Sequence, residues 1–423
     1  MSAAPTRKQT VQDPSPTGAD PAPGLPRGAL LLIGVAIALA ALNLRTAITS
    51  VGPVLDEVTQ GLGMTAVGAG TLTTLPVLCF ALFGGLTPML ARRLGSHHLL
   101  VYALVAVTLG LTTRALAPEP WLFLTLSAVA LSGGAIGNVI LPALVKQHFP
   151  HRVGLMTTVY TTGLAVGTAI AAAATVPVEQ ATGEWRIALG SYALFGLAAA
   201  LPWLLALRHE PAPGDAREAL GVRQVLSTGI GWQGVLYFGT QSSIAYIMFG
   251  WYAQMLRDQG MDAQTAGVML AYLTALGIPM SLVLPSLVVR VRDQRPFVGL
   301  FVLAYVAGFT GLWISPLSGT WVWTTLIGIG LGSFVLALTI FAVRTRTAEG
   351  TAAMSASSQS LGYLLGGAGP FLFGFLHELT GGWHAPMAMA MGIVALNLVM
   401  GMLVGQPRYL EDALAAKAAE RAS

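Results

Sequence analysis

Long apolar runs alternate with short polar intervals along almost the whole chain. Each run is of the length, about 20 residues, that a helix needs to cross roughly 30 Å of hydrocarbon. Twelve runs begin near Gly28, Ala66, His98, Trp121, Val153, Arg186, Gly231, Ala263, Pro296, Thr320, Ala352 and His384. The polar intervals are short except for one, Arg208 to Ile230, after the sixth run. The pattern predicts an all-α integral membrane protein of twelve transmembrane helices in two six-helix bundles, residues 28–207 and 231–405. Residues 208–230 would link the bundles. A tail at 1–27, with six prolines and no apolar run, is expected to be disordered. A second tail at 406–423 has helical character from Glu411 to Arg421. A signal peptide ending near Ala41 is the weaker alternative for the first run, because it would need a short basic leader directly before the apolar core.

Composition agrees with lipid as the solvent. Of 423 residues, 54% are hydrophobic and 9% charged, against about 25% charged in soluble chains. Fifty glycines suit helices that pack closely in a bilayer. The single cysteine, Cys79, excludes an intrachain disulfide and gives no metal or redox motif. The net charge of +4 is spread over short loops and is no nucleic-acid signal. Alternating sides from a cytoplasmic N-terminus leaves only Arg114, Arg186 and Arg257 outside and Arg45 within the membrane. The rest of the 22 Lys and Arg residues fall inside. The positive-inside rule then predicts a multi-pass protein of the cytoplasmic membrane with both termini in the cytoplasm.

Arg45 is the one charge deep inside an apolar run. At ~1.5 Å per residue it is roughly 27 Å along a helix from Arg27 and about 17 Å from Asp56. Arginine at that depth costs about 2.5–3.5 kcal/mol on insertion scales and keeps its charge. Arg114, close to Glu119 at an outer span end, is expected to snorkel. Trp251, Trp321, Trp323 and Trp383 read as an interfacial belt. No Asp, Glu, Lys or His falls in a membrane core, so no carboxylate proton relay is expected.

An internal repeat relates the halves. Gly63-Met64-Thr-Ala66-Val-Gly-Ala69-Gly70 matches Gly260-Met261-Asp-Ala263-Gln-Thr-Ala266-Gly267, and each stretch enters an even-numbered span. Gly-x-x-x-Gly recurs in the fourth and tenth spans (Gly133/Gly137, Gly328/Gly332) and in the fifth and eleventh (Gly163/Gly167, Gly362/Gly366), where backbones would approach closely. Six plus six helices around a long linker resemble the major facilitator superfamily, whose repeats rock about a midplane site. Its loop motif between spans two and three has a counterpart in Pro88-Met-Leu-Ala-Arg92-Arg93-Leu-Gly95, without the motif's acid. By that resemblance Arg92, Arg93 and Gly95 would serve conformational gating. The segments Asn43-Leu-Arg45-Thr-Ala-Ile-Thr-Ser-Val-Gly-Pro53, Leu72-Thr-Thr-Leu-Pro76-Val-Leu-Cys-Phe80, Gly137-Asn138-Val-Ile-Leu-Pro142-Ala-Leu-Val-Lys146 and Gln359-Ser-Leu-Gly-Tyr363-Leu-Leu narrow this. They resemble the cyanate/nitroimidazole permease family. That resemblance implies a small-molecule permease, linked to uptake of cyanate-like anions or export of nitroimidazoles.

The spans expected to line a cavity are one, four, seven and ten, with two, five, eight and eleven beside them. They offer Asn43, Arg45 and Thr49, then Asn138, Tyr160, Gln241, Tyr246, Gln359 and Tyr363 as candidate substrate-binding residues. Arg45 and Thr49, Ser242 and Tyr246, and Gln359 and Tyr363 are each four apart and share a helix face. Amides and phenols around one guanidinium form a shell suited to a small anion. Each has a structural alternative: Arg45 as a cap for helix-end carbonyls, Asn138 and the glutamines as interhelical glue, the tyrosines as packing.

The leading reading is therefore a secondary active or facilitative transporter of a small anion, working by alternating access. An exporter of neutral aromatics and a non-transporting membrane sensor are the alternatives. No nucleophile–base pair, metal cluster or nucleotide loop is apparent, so an enzyme, a cofactor or ATP as driver is not expected. The expected partners are a small-molecule solute and the lipid bilayer, with no nucleic acid, and the protein is expected to be a monomer.

Overall fold

The computed structural model describes residues 27–149, 152–207 and 221–422. Residues 1–26 of the tail expected to be disordered and residues 208–220 of the expected linker lie outside that set. Twelve helical spans follow one another. The first is broken into Arg27–Asn43, Thr46–Thr49, a 3-10 turn at Gly52–Val54, and Leu55–Leu62. Continuous helices form the second (Ala66–Leu94), third (Ser96–Ala115), fourth (Pro120–His148) and fifth (Val153–Thr182). The sixth divides at Tyr192 into Trp185–Ser191 and Ala193–Ala206. The seventh is the unbroken Gly229–Asp258. The eighth divides into Ala263–Ala275 and Gly277–Val288, the tenth into Thr320–Gly330 and Ser333–Val343, and the eleventh into Ala348–Gly366 and Ala368–Thr380. The ninth (Arg295–Ile314) and twelfth (His384–Val404) are continuous. A last helix, Leu410–Ala422, carries the terminal polar segment.

Ten of these spans are long and apolar enough to cross a membrane. The seventh and eleventh are not among the ten, and they carry the polar runs Thr240-Gln241-Ser242-Ser243 and Ser355-Ala356-Ser357-Ser358-Gln359-Ser360. Polar residues concentrated in two internal helices mark where a membrane bundle is lined for something other than lipid.

The sequence repeat corresponds to a repeated turn. Gly63 (φ +62°) ends the first span and Gly260 (φ +100°) follows the seventh, both in the left-handed region that glycine adopts without a Cβ penalty. Two residues later a cap opens the next span. The Thr65 hydroxyl accepts from Gly68 N at 3.3 Å, and the Asp262 carboxylate accepts from Thr265 N at 2.8 Å. Gly70 and Gly267 then meet the opposite half. Gly70 packs on the carbonyl of Phe371 in the eleventh span and Gly267 on that of Ala172 in the fifth.

The glycine pairs of the fifth and eleventh spans act alike. Gly163 and Gly167 lie against Ala38–Leu42 of the first span, while Gly362 and Gly366 lie against Val235–Gly239 of the seventh. The other two pairs diverge. Gly133 and Gly137 contact the third and first spans, whereas Gly328 packs on Leu273 and Leu276 of the eighth.

The expected aromatic belt is only partly realised. Trp321 is exposed, but Trp251 and Trp383 are buried. Their indole N–H groups donate to the Pro370 carbonyl at 3.0 Å and to Asp258 Oδ2 at 3.1 Å. The two rings stand edge to face at 6.2 Å and fill the seam between spans seven, eleven and twelve. Internal partners for both N–H groups displaced the interfacial role.

A Cβ at Gly167 would collide with the Leu42 carbonyl, whereas one at Gly392 would meet nothing within 4 Å. Gly167→Ala should destabilise the protein by about 1–3 kcal/mol and Gly392→Ala should not. Melting curves of the two purified variants in the same detergent check this, and equal melting temperatures would refute the close-contact role.

Candidate functional site

The first span breaks at Arg45 for a local reason. The Thr46 hydroxyl donates to the Asn43 backbone carbonyl at 2.9 Å and lies 3.0 Å from Asn43 Oδ1, an alternative to continuous helix bonding. Arg45 occupies the resulting turn with φ −115° and ψ −2°. Its Nε has no hydrogen-bond partner, and no ion pair to Arg45 occurs among the described residues. Its guanidinium carbon lies 5.7 Å from the centroid of the Phe334 ring.

That side chain forms one wall of a cavity of about 150 Å³. The fifth span adds Thr161 to Thr168, the eighth Leu273 to Ser281 and the tenth Leu331 to Val335. Gln241, Ser242, Ala245, Tyr246, Phe249 and Tyr363 complete it. Regular helix is interrupted where three of the contributing spans meet the cavity: the first turns at Arg45, while the eighth at Leu276 and the tenth at Leu331–Gly332 make short breaks that keep right-handed helical dihedrals. Irregular backbone is tolerated at membrane depth where it lines a cavity or is buried in protein.

The walls combine aromatic rings with a few polar groups. Tyr246 and Tyr363 stand edge to face at 6.2 Å, Phe80 meets Tyr363 at 5.5 Å, and Phe249 meets Tyr246 at 5.8 Å. Ser242 is 1% exposed and its hydroxyl has no partner. Arg45 and Ser242 thus bring two unsatisfied polar groups to one cavity, and buried groups in that condition call for a further partner.

Among the residues singled out from sequence, Arg45, Gln241, Tyr246 and Tyr363 line this cavity. Gln241 is occupied within the protein: its amide donates to the Leu331 carbonyl at 3.3 Å and accepts from the Tyr305 hydroxyl at 2.8 Å. It pins the interrupted turn of the tenth span. Thr49 is buried and donates to the carbonyls of Arg45 and Thr168 at 3.2 Å, tying the broken span to the fifth. Asn43 is buried beside that break. Gln359 donates to Ser355 at 2.7 Å. Asn138 and Tyr160 are half-buried and off the cavity wall. The fourth span contributes no wall because Gly134 and Gly137 are pressed against Leu44 at the break. Of the gating candidates, Gly95 turns the chain at φ +83° between the second and third spans. Arg93 is exposed, and the Arg92 side chain lies outside the described residues.

Charges seal one end of the bundle. Arg257 in the seventh span donates to both Glu57 carboxylate oxygens at 2.8 and 3.0 Å and to the Pro53 carbonyl at 3.1 Å, with Asp56 at 3.6 Å. Gln254 joins Asp56 and Asp258 at 3.0 and 2.6 Å. Below this pair Gly52 packs on the Phe249 carbonyl and Gly250 on Thr73, so the halves touch backbone to backbone and backbone to side chain. In the fifth, eighth and tenth spans the lining residues lie from mid-span toward the opposite end, where Arg344 lies, while those of the first, seventh and eleventh lie about the middle of their spans.

One residue departs from its expected place. Arg114 does not snorkel; it is fully buried, and its terminal nitrogens reach the Ala47 carbonyl at 3.3 Å and Ser50 Oγ at 3.4 Å. The four-residue helix Thr46–Thr49 leaves carbonyls that need donors, and Arg114 turns inward to supply one. The capping role considered for Arg45 falls partly to Arg114. Its sequence position near a span end concealed this.

Two repeated six-helix halves around a central cavity are the architecture of a membrane transporter. The Major Facilitator Superfamily model matches residues 33–370, and the chain belongs to that family. It is 35% identical over 374 residues to the uncharacterized transporter YycB of Bacillus subtilis (strain 168), covering 88% of this chain and 92% of that one. It is 33% identical to the 2-nitroimidazole transporter of Escherichia coli (strain K12), with 88% and 95% covered, and 27% identical to that organism's cyanate transport protein CynX, with 86% and 94% covered. A bacterial homolog of the human lysosomal transporter Spinster, solved inward-facing and unoccupied, has the same fold at TM-score 0.72 and 16% identity, covering 91% of this chain and 98% of that one.

If the Arg257–Glu57 pair holds its end shut, Glu57→Gln should open it more often. A cysteine at Val51, introduced with Cys79→Ser, should then label several-fold faster with a polar maleimide than in the parent. Unchanged labelling would remove the pair from gating.

Proposed function

We propose that this transporter carries a small, planar, singly charged anion, with Arg45 as its counter-charge. The observation that carries the reading is the pairing of a guanidinium without an acid partner and an unsatisfied Ser242 hydroxyl in one cavity. A planar fork of donors suits delocalised oxygen or nitrogen charge, and the facing rings of Tyr246 and Tyr363 suit a flat solute. Cyanate fits this chemistry, as does the anionic form of a nitro-substituted heterocycle. The two relatives named for cyanate and 2-nitroimidazole accord with it.

With the orientation expected from loop charges, the Glu57 end faces outward and the cavity opens to the cytoplasm. Transport would then proceed by rocking of the halves about the cavity, the Glu57–Arg257 pair breaking as the outer end opens. Transport of this kind needs no enzyme chemistry and no cofactor. With no acid or histidine in the membrane core, the carrier would work by uniport, exchange or movement of a protonated solute.

Arg45→Gln should weaken binding of sodium cyanate, or of a nitroimidazole anion, by about 10- to 150-fold, the equivalent of a charge-assisted hydrogen bond of ~1.5–3 kcal/mol. Thermal-shift titration of purified wild type and variant measures it. Stabilisation of the wild type by neutral nitroimidazoles alone, with no anion effective, would overturn the assignment and favour the exporter of neutral aromatics. In proteoliposomes, proton movement should not accompany flux strictly; proton uptake abolished by a single interior substitution would refute the absence of a relay.

A further inference from the structure

Arg114 presents the same electrostatic problem as Arg45, in a different place. It is fully buried in the third span and keeps its charge at neutral pH. Its two hydrogen bonds, at 3.3 and 3.4 Å, are long and go to neutral groups. Nε has no partner, and no acid pairs with Arg114 among the described residues. The Phe123 ring at 5.8 Å offers only weak compensation. A guanidinium has five N–H donors, so most of this one's capacity is unmet.

A second, smaller cavity of about 20 Å³ borders Arg114. Ser127, fully buried on the fourth span with an unpartnered hydroxyl, lines it too. The volume exceeds the roughly 10–15 Å³ that one water requires. Tyr246 and Phe249 border both this cavity and the central one, so they form the partition between them. On its far side lie Val51 and Gly52, directly beneath the Glu57–Arg257 closure. The order along the bundle is therefore central cavity, aromatic partition, Arg114 pocket, charged closure.

We infer that Arg114 and Ser127 form a second anion station, which holds a monovalent anion between the central cavity and the Glu57 end. In the present closed arrangement it has room for a water or a halide-sized ion. When that end opens, the pocket widens into the route, and the anion passes from one guanidinium to the other without crossing an uncompensated stretch. The inference rests on the proposed anion route but involves different side chains, so the two can fail separately.

Chloride serves as the probe for the full-length protein in detergent, read by the excess chlorine NMR linewidth it acquires on binding. Arg45→Gln should retain a saturable excess linewidth, and the double variant Arg45→Gln/Arg114→Gln should fall to the level of empty micelles. Because Arg114→Gln could unfold the bundle, Ser127→Ala in the Arg45→Gln background gives a milder test. It should weaken the remaining site by about threefold, the effect of one lost hydrogen bond. Arg114→Lys, which keeps the charge, should restore binding. If Arg45→Gln alone abolishes saturable binding, the second station is refuted while the central site stands. If Arg114→Gln abolishes it and Arg45→Gln leaves it intact, the second station stands and the central assignment fails. If the folded Ser127→Ala protein in the Arg45→Gln background changes melting temperature but not linewidth, or if Arg114→Lys folds and loses the saturable linewidth, Arg114 is a structural cap only.

Discussion

A full positive charge in the low-dielectric middle of a helical bundle has to be matched by negative charge or by oriented dipoles. The described part of this protein offers Arg45 no acid. What it offers is a break in the first span that presents the guanidinium to a cavity, with short helix interruptions in the eighth and tenth spans beside the same space. The rest of the arrangement follows from that. Glycines press the fourth and fifth spans against the broken first span, Thr49 ties it to the fifth, and Gln241 holds the interrupted turn of the tenth. Each of these contacts keeps an irregular segment satisfied, while the Arg45 Nε is left without a hydrogen-bond partner.

The repeat explains how such an asymmetric site arises in a symmetric frame. The offset that relates Gly63 to Gly260 carries Arg45 onto Ser242. Both residues reach the cavity and both lack a partner. The two halves therefore aim equivalent positions at one cavity, with charge from one side and a neutral hydroxyl from the other. A binding site built so has one net charge, and a singly charged solute neutralises it without leaving a surplus in the membrane interior.

Much of the frame was legible in the sequence because lipid imposes a coarse rule: apolar runs of fixed length, short loops, and charge placed at the ends. The turns at Gly63 and Gly260 and the glycine contacts of the fifth and eleventh spans follow from local patterns that repeat. Arg45 stood out for the same reason, as a violation of the rule at maximal depth. The wall of the cavity was less legible. Which face of a helix looks inward depends on crossing angles and on breaks such as those at Leu276 and Leu331, and neither is encoded in spacing alone. Asn138 and Tyr160 carry suitable chemistry but are turned away by the packing of their own helices. Trp251 and Trp383, placed by composition at an interface, are drawn inside by hydrogen bonds formed with residues over a hundred positions distant.

Arg114 marks the limit of the depth rule. Counted along the sequence it lies one residue from the end of its helix, within reach of a surface, and snorkelling is the expectation. Depth in a bundle is set by neighbours as well as by distance along an axis, and here the broken first span lies alongside with carbonyls that need donors. A break made to expose one arginine thus recruits a second, and the second ends up between the first and the sealed end of the bundle. Two acid-free guanidiniums in series, separated by Tyr246 and Phe249, would be a poor way to build a rigid core. For an anion carrier, the same pair reduces the electrostatic barrier on the one stretch of the route that the central cavity does not reach.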